Sequence, residues 1–321
     1  MEPFGYIAAA DEKMAIDEAP RGTFIAGGTN MVDYMRLGVI KPTTLIDVSR
    51  LPLTNIEAAG DGVKIGALVR NSDLAYHPLI QQKYPVLAEA LLSGASPQIR
   101  NMATTGGNIL QRTRCPYFRD MHYAQCNKRQ PGSGCAAIGG FNRSHAVLGG
   151  SPACIATNPS DMNVAMAALD ATVHVHGPSG ERDIAFVDFH TLPGDHPEVE
   201  TVLQPGELIT YVTLPAVTGK QHYLKVRDRA SFAFALASAA VVLDVQGGTI
   251  HGARVALGGV GTKPWRAKEA EAALVGQAPS PAVFAKAADA ALAGAKGQPT
   301  NAFKIELAKR TLVRALTEVS K

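Results

Sequence analysis

Thr23-Phe-Ile-Ala-Gly-Gly-Thr-Asn30 and its flanks decide how this chain begins to fold. Thr23-Phe-Ile-Ala26 is a short apolar strand, and Gly27-Gly28-Thr29-Asn30 turns out of it. Met31, Met35 and Leu37 then fall on one side of a helix running to Gly38. Thr43-Thr-Leu-Ile-Asp-Val48, rich in β-branched residues, reads as the next strand. The unit is β-α-β with a glycine turn between strand and helix. A second stretch, Thr104-Thr105-Gly106-Gly107-Asn108, shares the composition of Ala26-Gly27-Gly28-Thr29-Asn30. Paired glycines let a backbone approach a ligand closely and present consecutive N–H donors. Threonine hydroxyls and asparagine amides add donors, and a helix start favours negative charge. Either loop alone fits a plain tight turn; the pair favours binding a pyrophosphate-like anion. Neither the dinucleotide fingerprint G-x-G-x-x-G nor a P-loop occurs, so a nucleotide here needs another fold.

At 321 residues the chain is long enough for two or three domains. With 46% hydrophobic and 18% charged residues it is a well-packed globular protein. A net charge of +3 is too mild to argue for nucleic acid or an anionic membrane surface. No apolar run approaches the roughly 20 residues that span a bilayer. The start, Met1-Glu-Pro-Phe-Gly-Tyr, has no basic n-region and no sustained apolar stretch, so no secretory signal is expected. That favours the cytoplasm and still permits export alongside a partner that carries a signal.

Past residue 60 the pattern continues with a strand at Val63–Val69, helices around Asn71–His77 and Val86–Leu92, and a strand–loop–helix passage at Asn101–Leu110. A helix at Met162–Leu169 and strands at Thr172–His176 and Leu208–Thr213 follow. Next comes a long apolar helix from Phe232 through Leu236 and the following alanines. A strand at Gly252–Leu257 precedes two terminal helices near 281–293 and 302–318, the last with Phe303, Leu307, Leu312 and Leu316 roughly on one face. Few, unevenly spaced units suggest α+β lobes rather than one parallel sheet.

All four cysteines, Cys115, Cys126, Cys135 and Cys154, fall within 40 residues. Their gaps, C-x10-C-x8-C-x18-C, contain no C-x-x-C, which matches neither ordinary zinc ribbons nor bacterial ferredoxins. An iron–sulfur cluster, a zinc site, and disulfides or free thiols all fit the spacing. Arg112, Arg114, Arg119, Lys128, Arg129 and Arg143 flank the cysteines. Such cations would stabilise the negative charge of four thiolates on a 4Fe–4S core; they also fit a solvated face or a surface for an acidic partner. Glycines 132, 134, 139 and 140 leave backbone N–H groups free to approach sulfur. The lone histidines His122, His145, His174 and His190 have no visible partner and read as packing or surface residues.

Together these motifs resemble the FAD-binding subunit of the xanthine dehydrogenase/molybdenum hydroxylase family. Phe24-Ile-Ala-Gly-Gly-Thr-Asn30 and Ala103-Thr-Thr-Gly-Gly-Asn108 look like its two FAD-pyrophosphate loops. Asn158-Pro-Ser-Asp-Met162 resembles the Ser-Asp element after the second loop. Gly206-Glu-Leu-Ile209 with Leu214-Pro215 looks like the end of the flavin domain. Lys225-Val-Arg-Asp-Arg229, Ala256-Leu-Gly-Gly-Val260 and Lys263-Pro-Trp-Arg266 resemble the C-terminal domain. Most of the family separates the second loop from the Ser-Asp element by a few residues; here Asn108 and Ser160 are 52 apart. The flavin subunits of 4-hydroxybenzoyl-CoA reductase and of bacterial periplasmic aldehyde oxidoreductase carry an insertion with a 4Fe–4S cluster at that point. Gln111-Arg-Thr-Arg-Cys-Pro-Tyr-Phe118, Cys126-Asn-Lys-Arg129 and Gly132-Ser-Gly-Cys-Ala136 are most similar to the aldehyde oxidoreductase branch.

The resemblance implies an α+β chain. Residues 1–217 would form a PCMH-type FAD-binding domain of two α/β lobes, about 1–55 and 56–217, with an iron–sulfur insertion at about 112–155. Residues 218–321 would form a C-terminal domain of the CO dehydrogenase flavoprotein type. Residues 26–30 and 104–108 would hold the FAD pyrophosphate. Asp161 and Lys225 would contact FAD near its ring or ribityl chain, and the four cysteines would ligate a 4Fe–4S cluster. The implied activity is electron transfer in a heterotrimer oxidising an aldehyde with water to a carboxylic acid. A large subunit would carry molybdenum and a small one 2Fe–2S centres. Electrons would reach FAD here and leave to an external acceptor, and the complex would sit in the periplasm. No acid, base or nucleophile is expected on this chain, because the flavin carries the chemistry. A subunit of a 4-hydroxybenzoyl-CoA reductase-like or xanthine dehydrogenase-like complex, a zinc-stapled interaction module and a standalone flavin oxidase are the competing readings. The C-terminal block of roughly 100 residues is small for the substrate cap of such an oxidase.

Overall fold

A computed structural model describes all of residues 1–321. Its architecture is α+β, with three sheets in chain order. The first holds β1 (Gly5–Ala8), β2 (Thr23–Ile25) and β3 (Thr44–Asp47), all parallel in the order β1-β3-β2. The helix Met31–Leu37 joins β2 to β3 and ends at Gly38, whose φ of +74° suits a residue without Cβ. Its small core of Ala15, Ile46, Val48 and Leu51 includes Leu68 and Leu208 from the next lobe.

The second sheet contains β4 (Ile56–Ala59), β5 (Gly62–Gly66), β6 (Thr172–Gly177), β7 (Gly180–Ala185) and β8 (Leu208–Leu214). It is antiparallel, in the order β4-β5-β8-β6-β7. Between β5 and β6 run several helices, the second glycine loop, the cysteine segment and the helix Asp161–Ala168. All eight residues of that last helix are buried. No strand forms at residues 101–110. Short helices at Pro97–Arg100 and Thr105–Ile109 flank one isolated bridge from Thr104 to Arg70.

The third sheet, β9 (Lys220–Val226), β10 (Ala237–Gln246), β11 (Thr249–Gly258) and β12 (Trp265–Arg266), is antiparallel in the order β12-β11-β10-β9. The expected alanine-rich helix beyond Phe232 is therefore a strand. Ala237, Ala239, Val241 and Leu243 of β10 face the C-terminal helices, while Ala240 and Val242 face the second lobe. A strand buried on both faces reads as a continuous apolar run, and small alanines let helices pack closely on each side. Tyr223, Ala240, Val242 and Ala256 thus belong to the same core as the second sheet. The terminal helix Phe303–Val319 buries Lys304, Ala308, Thr311, Leu312, Ala315, Leu316 and Val319. Phe303 is 43% exposed, so the buried face is rotated from the one expected and takes in Lys304 instead. No helix is long and apolar enough to cross a membrane.

Candidate cofactor site

The two glycine loops meet. A Cβ on Gly27 would lie 1.8 Å from the carbonyl oxygen of Met102, so only glycine lets the loops touch. Gly28 has φ +70°. The amides of Gly27, Gly28, Thr29 and Asn30 make no hydrogen bond within the chain, leaving a row of donors on the first loop. The second loop differs from expectation. Thr105 N–H donates to Val69 O, Gly106 N–H to Ala67 O, Gly107 N–H to the Thr104 hydroxyl and Asn108 N–H to Thr104 O. The Thr105 hydroxyl also donates to Val69 O. These groups shape the loop: the carbonyls of Ala67 and Val69 take the donors of Thr105 and Gly106, and Thr104 takes those of Gly107 and Asn108 at the start of the short helix.

The Asn30 side chain has a further, structural task. Its amide donates to Gly107 O at 3.1 Å and its oxygen accepts from Arg114 at 2.9 Å, binding both loops to the cysteine segment. Asn108 accepts from Ser160 at 2.7 Å, which brings the Asn158–Asp161 element beneath the second loop. Ser160 caps the buried helix by accepting from Asn163 N–H. Asp161 and Lys225 come together as an ion pair at 2.7 Å, with side chains 7% and 3% exposed. Tyr223 donates to the other Asp161 oxygen at 2.6 Å, and Lys225 also donates to Ser93 O. Burial, reinforced by the carboxylate, drives the Tyr223 hydroxyl well above its ordinary range, so it stays a donor. Two hydrogens of the Lys225 ammonium are taken and one is unassigned.

The basic side chains of the inserted segment act as struts. Asp33 accepts from Arg114 and Arg119 at 3.2 and 2.8 Å. Burial works against its ionisation, but the two guanidiniums hold the carboxyl below its usual range. Arg112 and Lys128 pair with Glu200, Arg143 pairs with Asp228, and Arg129 donates to the carbonyls of Phe118 and Asp120. A free basic docking face is therefore not what these residues make.

Cys115, Cys126, Cys135 and Cys154 are unpaired by disulfides and line one small cavity with Tyr117, Phe118 and Ala137. An antiparallel bridge sets Cys126 opposite Cys135. Burial, with Cys154 and Cys126 adding to it, pushes the Cys115 thiol up to about 12. Burial raises Cys154 too, against the pull of Lys128. Unless a positive centre binds there, both are thiols at neutral pH. No three His, Cys, Asp or Glu side chains converge as a metal site, so the metal set expected from sequence is a ring of thiols. One zinc ion with Zn–S of about 2.3 Å would need the sulfurs drawn to a point. A donor set of four sulfurs without carboxylate suits zinc or an iron–sulfur core. His145, read from sequence as packing, touches this ring: Nε2 lies 3.1 Å from Cys115 Sγ. Its place inside the cysteine window was the only local signal. His190 is buried against Ile109 O, and His174 stacks on Tyr211.

With this geometry in view, two family models cover nearly the whole chain. The FAD binding domain in molybdopterin dehydrogenase matches residues 3–217, and the CO dehydrogenase flavoprotein C-terminal domain matches residues 222–319. The chain belongs to the FAD-binding subunits of the molybdenum hydroxylase family. It is 53% identical to the aldehyde oxidoreductase FAD-binding subunit PaoB of Escherichia coli K12, across 96% of this chain and 95% of that one. It is 30% identical to the glyceraldehyde dehydrogenase medium chain of Sulfolobus acidocaldarius over 79% of this chain and 73% of the other. Among solved structures, the carbon monoxide dehydrogenase of Hydrogenophaga pseudoflava aligns over 99% of this chain and 98% of its own, with a TM-score of 0.77 and 28% identity.

Proposed function

We propose that this chain is the flavin-bearing electron-transfer subunit of a molybdenum-dependent aldehyde oxidoreductase. It would work in a heterotrimer with a molybdenum large subunit and a 2Fe–2S small subunit. The observation that carries the reading is the row of free amides at Gly27–Asn30, held against the second loop, to which Ser160 is tied through Asn108. The likeness to the aldehyde oxidoreductase subunit over nearly the full length supports the branch. Bound FAD would supply the ability to collect electrons singly and release them in pairs to an external acceptor. The amides of residues 27–30 would neutralise the pyrophosphate. Residues 104–108 and Ala26 would set the loop spacing, and the unassigned hydrogen of Lys225, oriented by Asp161, would face the flavin side of the boundary. Location in the periplasm through a signal-bearing partner belongs to the same proposal.

The four cysteines would hold a 4Fe–4S cluster. Support comes from the one cavity that all four line, the sulfur-only donor set and the struts that brace the segment. The test is to purify the complex and measure flavin and iron per chain, with Cys135→Ser as comparison. One flavin and about four irons beyond those of the small subunit, falling in the variant, are expected. A colourless chain holding zinc would refute the redox reading, and undiminished iron in Cys135→Ser would refute the ligand assignment.

A further inference from the structure

This inference rests on the iron–sulfur reading above and concerns a residue outside the cysteine set. His145 is 2% exposed. Its backbone is gripped firmly: its N–H donates to Asn142 O at 2.9 Å, and its carbonyl accepts from Lys304 at 2.8 Å and Asn301 at 3.3 Å. Lys304, wholly buried, also donates to Ser144 O at 3.2 Å and Gly259 O at 2.5 Å. The last helix thereby fixes residues 144 and 145. All of these bonds fall on the backbone. The ring has one polar neighbour, the Cys115 sulfur, and its Nδ1 is buried without a partner.

A neutral imidazole carries one N–H. A thiol can donate to Nε2, but a metal-bound sulfur has no hydrogen and can only accept. Placing the proton on Nδ1 would bury an unpaired donor and set a nitrogen lone pair against a sulfur lone pair. Placing it on Nε2 gives an N–H···S bond and leaves only an unfilled acceptor, the cheaper orphan. The geometry therefore suits a sulfur that accepts. We propose that His145 donates this bond to Cys115 when the cluster is bound and raises the cluster's reduction potential, with Lys304 and Asn301 as positioning residues. A donor aimed at a ligand sulfur stabilises the more negative, reduced state.

The experiment uses the whole complex as wild type, His145→Leu and His145→Gln, reading iron per chain and the potential of this cluster by redox titration followed by electron paramagnetic resonance. His145→Leu should keep its iron and shift the reduced-to-oxidised ratio at a fixed potential about tenfold towards oxidised, about 59 mV for a one-electron couple. His145→Gln, which retains an amide donor, should recover most of that shift. Full iron with an unchanged potential in His145→Leu overturns the inference while leaving the cluster in place. Wild type with no cluster iron on this chain overturns both readings. If the leucine variant loses iron, wild type labelled with 15N-histidine decides: a weak nitrogen coupling to the reduced cluster supports the proposal. No coupling, or the strong coupling of a direct ligand, overturns it.

Discussion

Replacing Lys225 by Met tests whether the Asp161–Lys225 pair holds the C-terminal sheet against the flavin lobe. Methionine keeps most of the stem's volume, so packing loss is small and the change is mainly electrostatic. The Asp161 carboxylate would stay buried with Tyr223 as its one remaining strong donor. Both side chains are under a tenth exposed, so solvent screening gives little relief. Removing one partner of such a pair costs about 3–5 kcal/mol. At about 2 °C per kcal/mol for a chain of this size, the melting temperature should fall by about 6–10 °C. The double variant Asp161→Asn/Lys225→Met removes the stranded charge while keeping an acceptor for Tyr223, and should recover at least half of the loss. Differential scanning fluorimetry on the purified complex, read alongside flavin absorbance, measures both. A single variant within 2 °C of wild type, or a double variant no better than the single, would refute the reasoning.

Gly27→Ala should force the loops apart against Met102 O, costing about 1–3 kcal/mol. It should also weaken flavin retention at least about tenfold, seen as a lower ratio of flavin to protein absorbance after gel filtration. Gly294→Ala, with open space around it, is the control expected to change neither. Burial holds His190 neutral, its pKa lowered from 6.5 to about 4. Between those values the unfolded chain takes up a proton that the native one refuses, so stability falls as pH drops from about 6.5 to 4, by up to about 3 kcal/mol. A melting-temperature series over that window should slope downward on acidification, and less so in His190→Gln; equal slopes would discard the assignment.

What could be read from the sequence was what local chemistry dictates. The glycine turn after Thr23–Ala26, the helix it enters and the clustering of the cysteines all announce themselves within a few residues. Strand β10 did not, because it is buried on both faces and its alanines lack any period that separates strand from helix. The task of Asn30 was hidden because its partners Gly107 and Arg114 lie 77 and 84 positions away. His145 looked like a spare histidine, since Cys115 is 30 positions off and Lys304 is 159. Counting basic residues near the cysteines suggested a charged surface. Only the fold shows Asp33, Glu200 and Asp228 already bound to them.

Lys304 and Asn301 lie at and just before the start of the terminal helix, yet they hold the backbone of His145, whose ring touches a cysteine synthesised far earlier. During synthesis the four thiols therefore emerge long before their final enclosure exists. A ribosome must finish nearly the entire polypeptide before the backbone at 144–145 can be clamped. Order of manufacture thus gives this corner two sets of braces of different age: the Asp33 and Glu200 struts are made first, and a chain cut short before Lys304 would keep them but lose the clamp on residues 144–145.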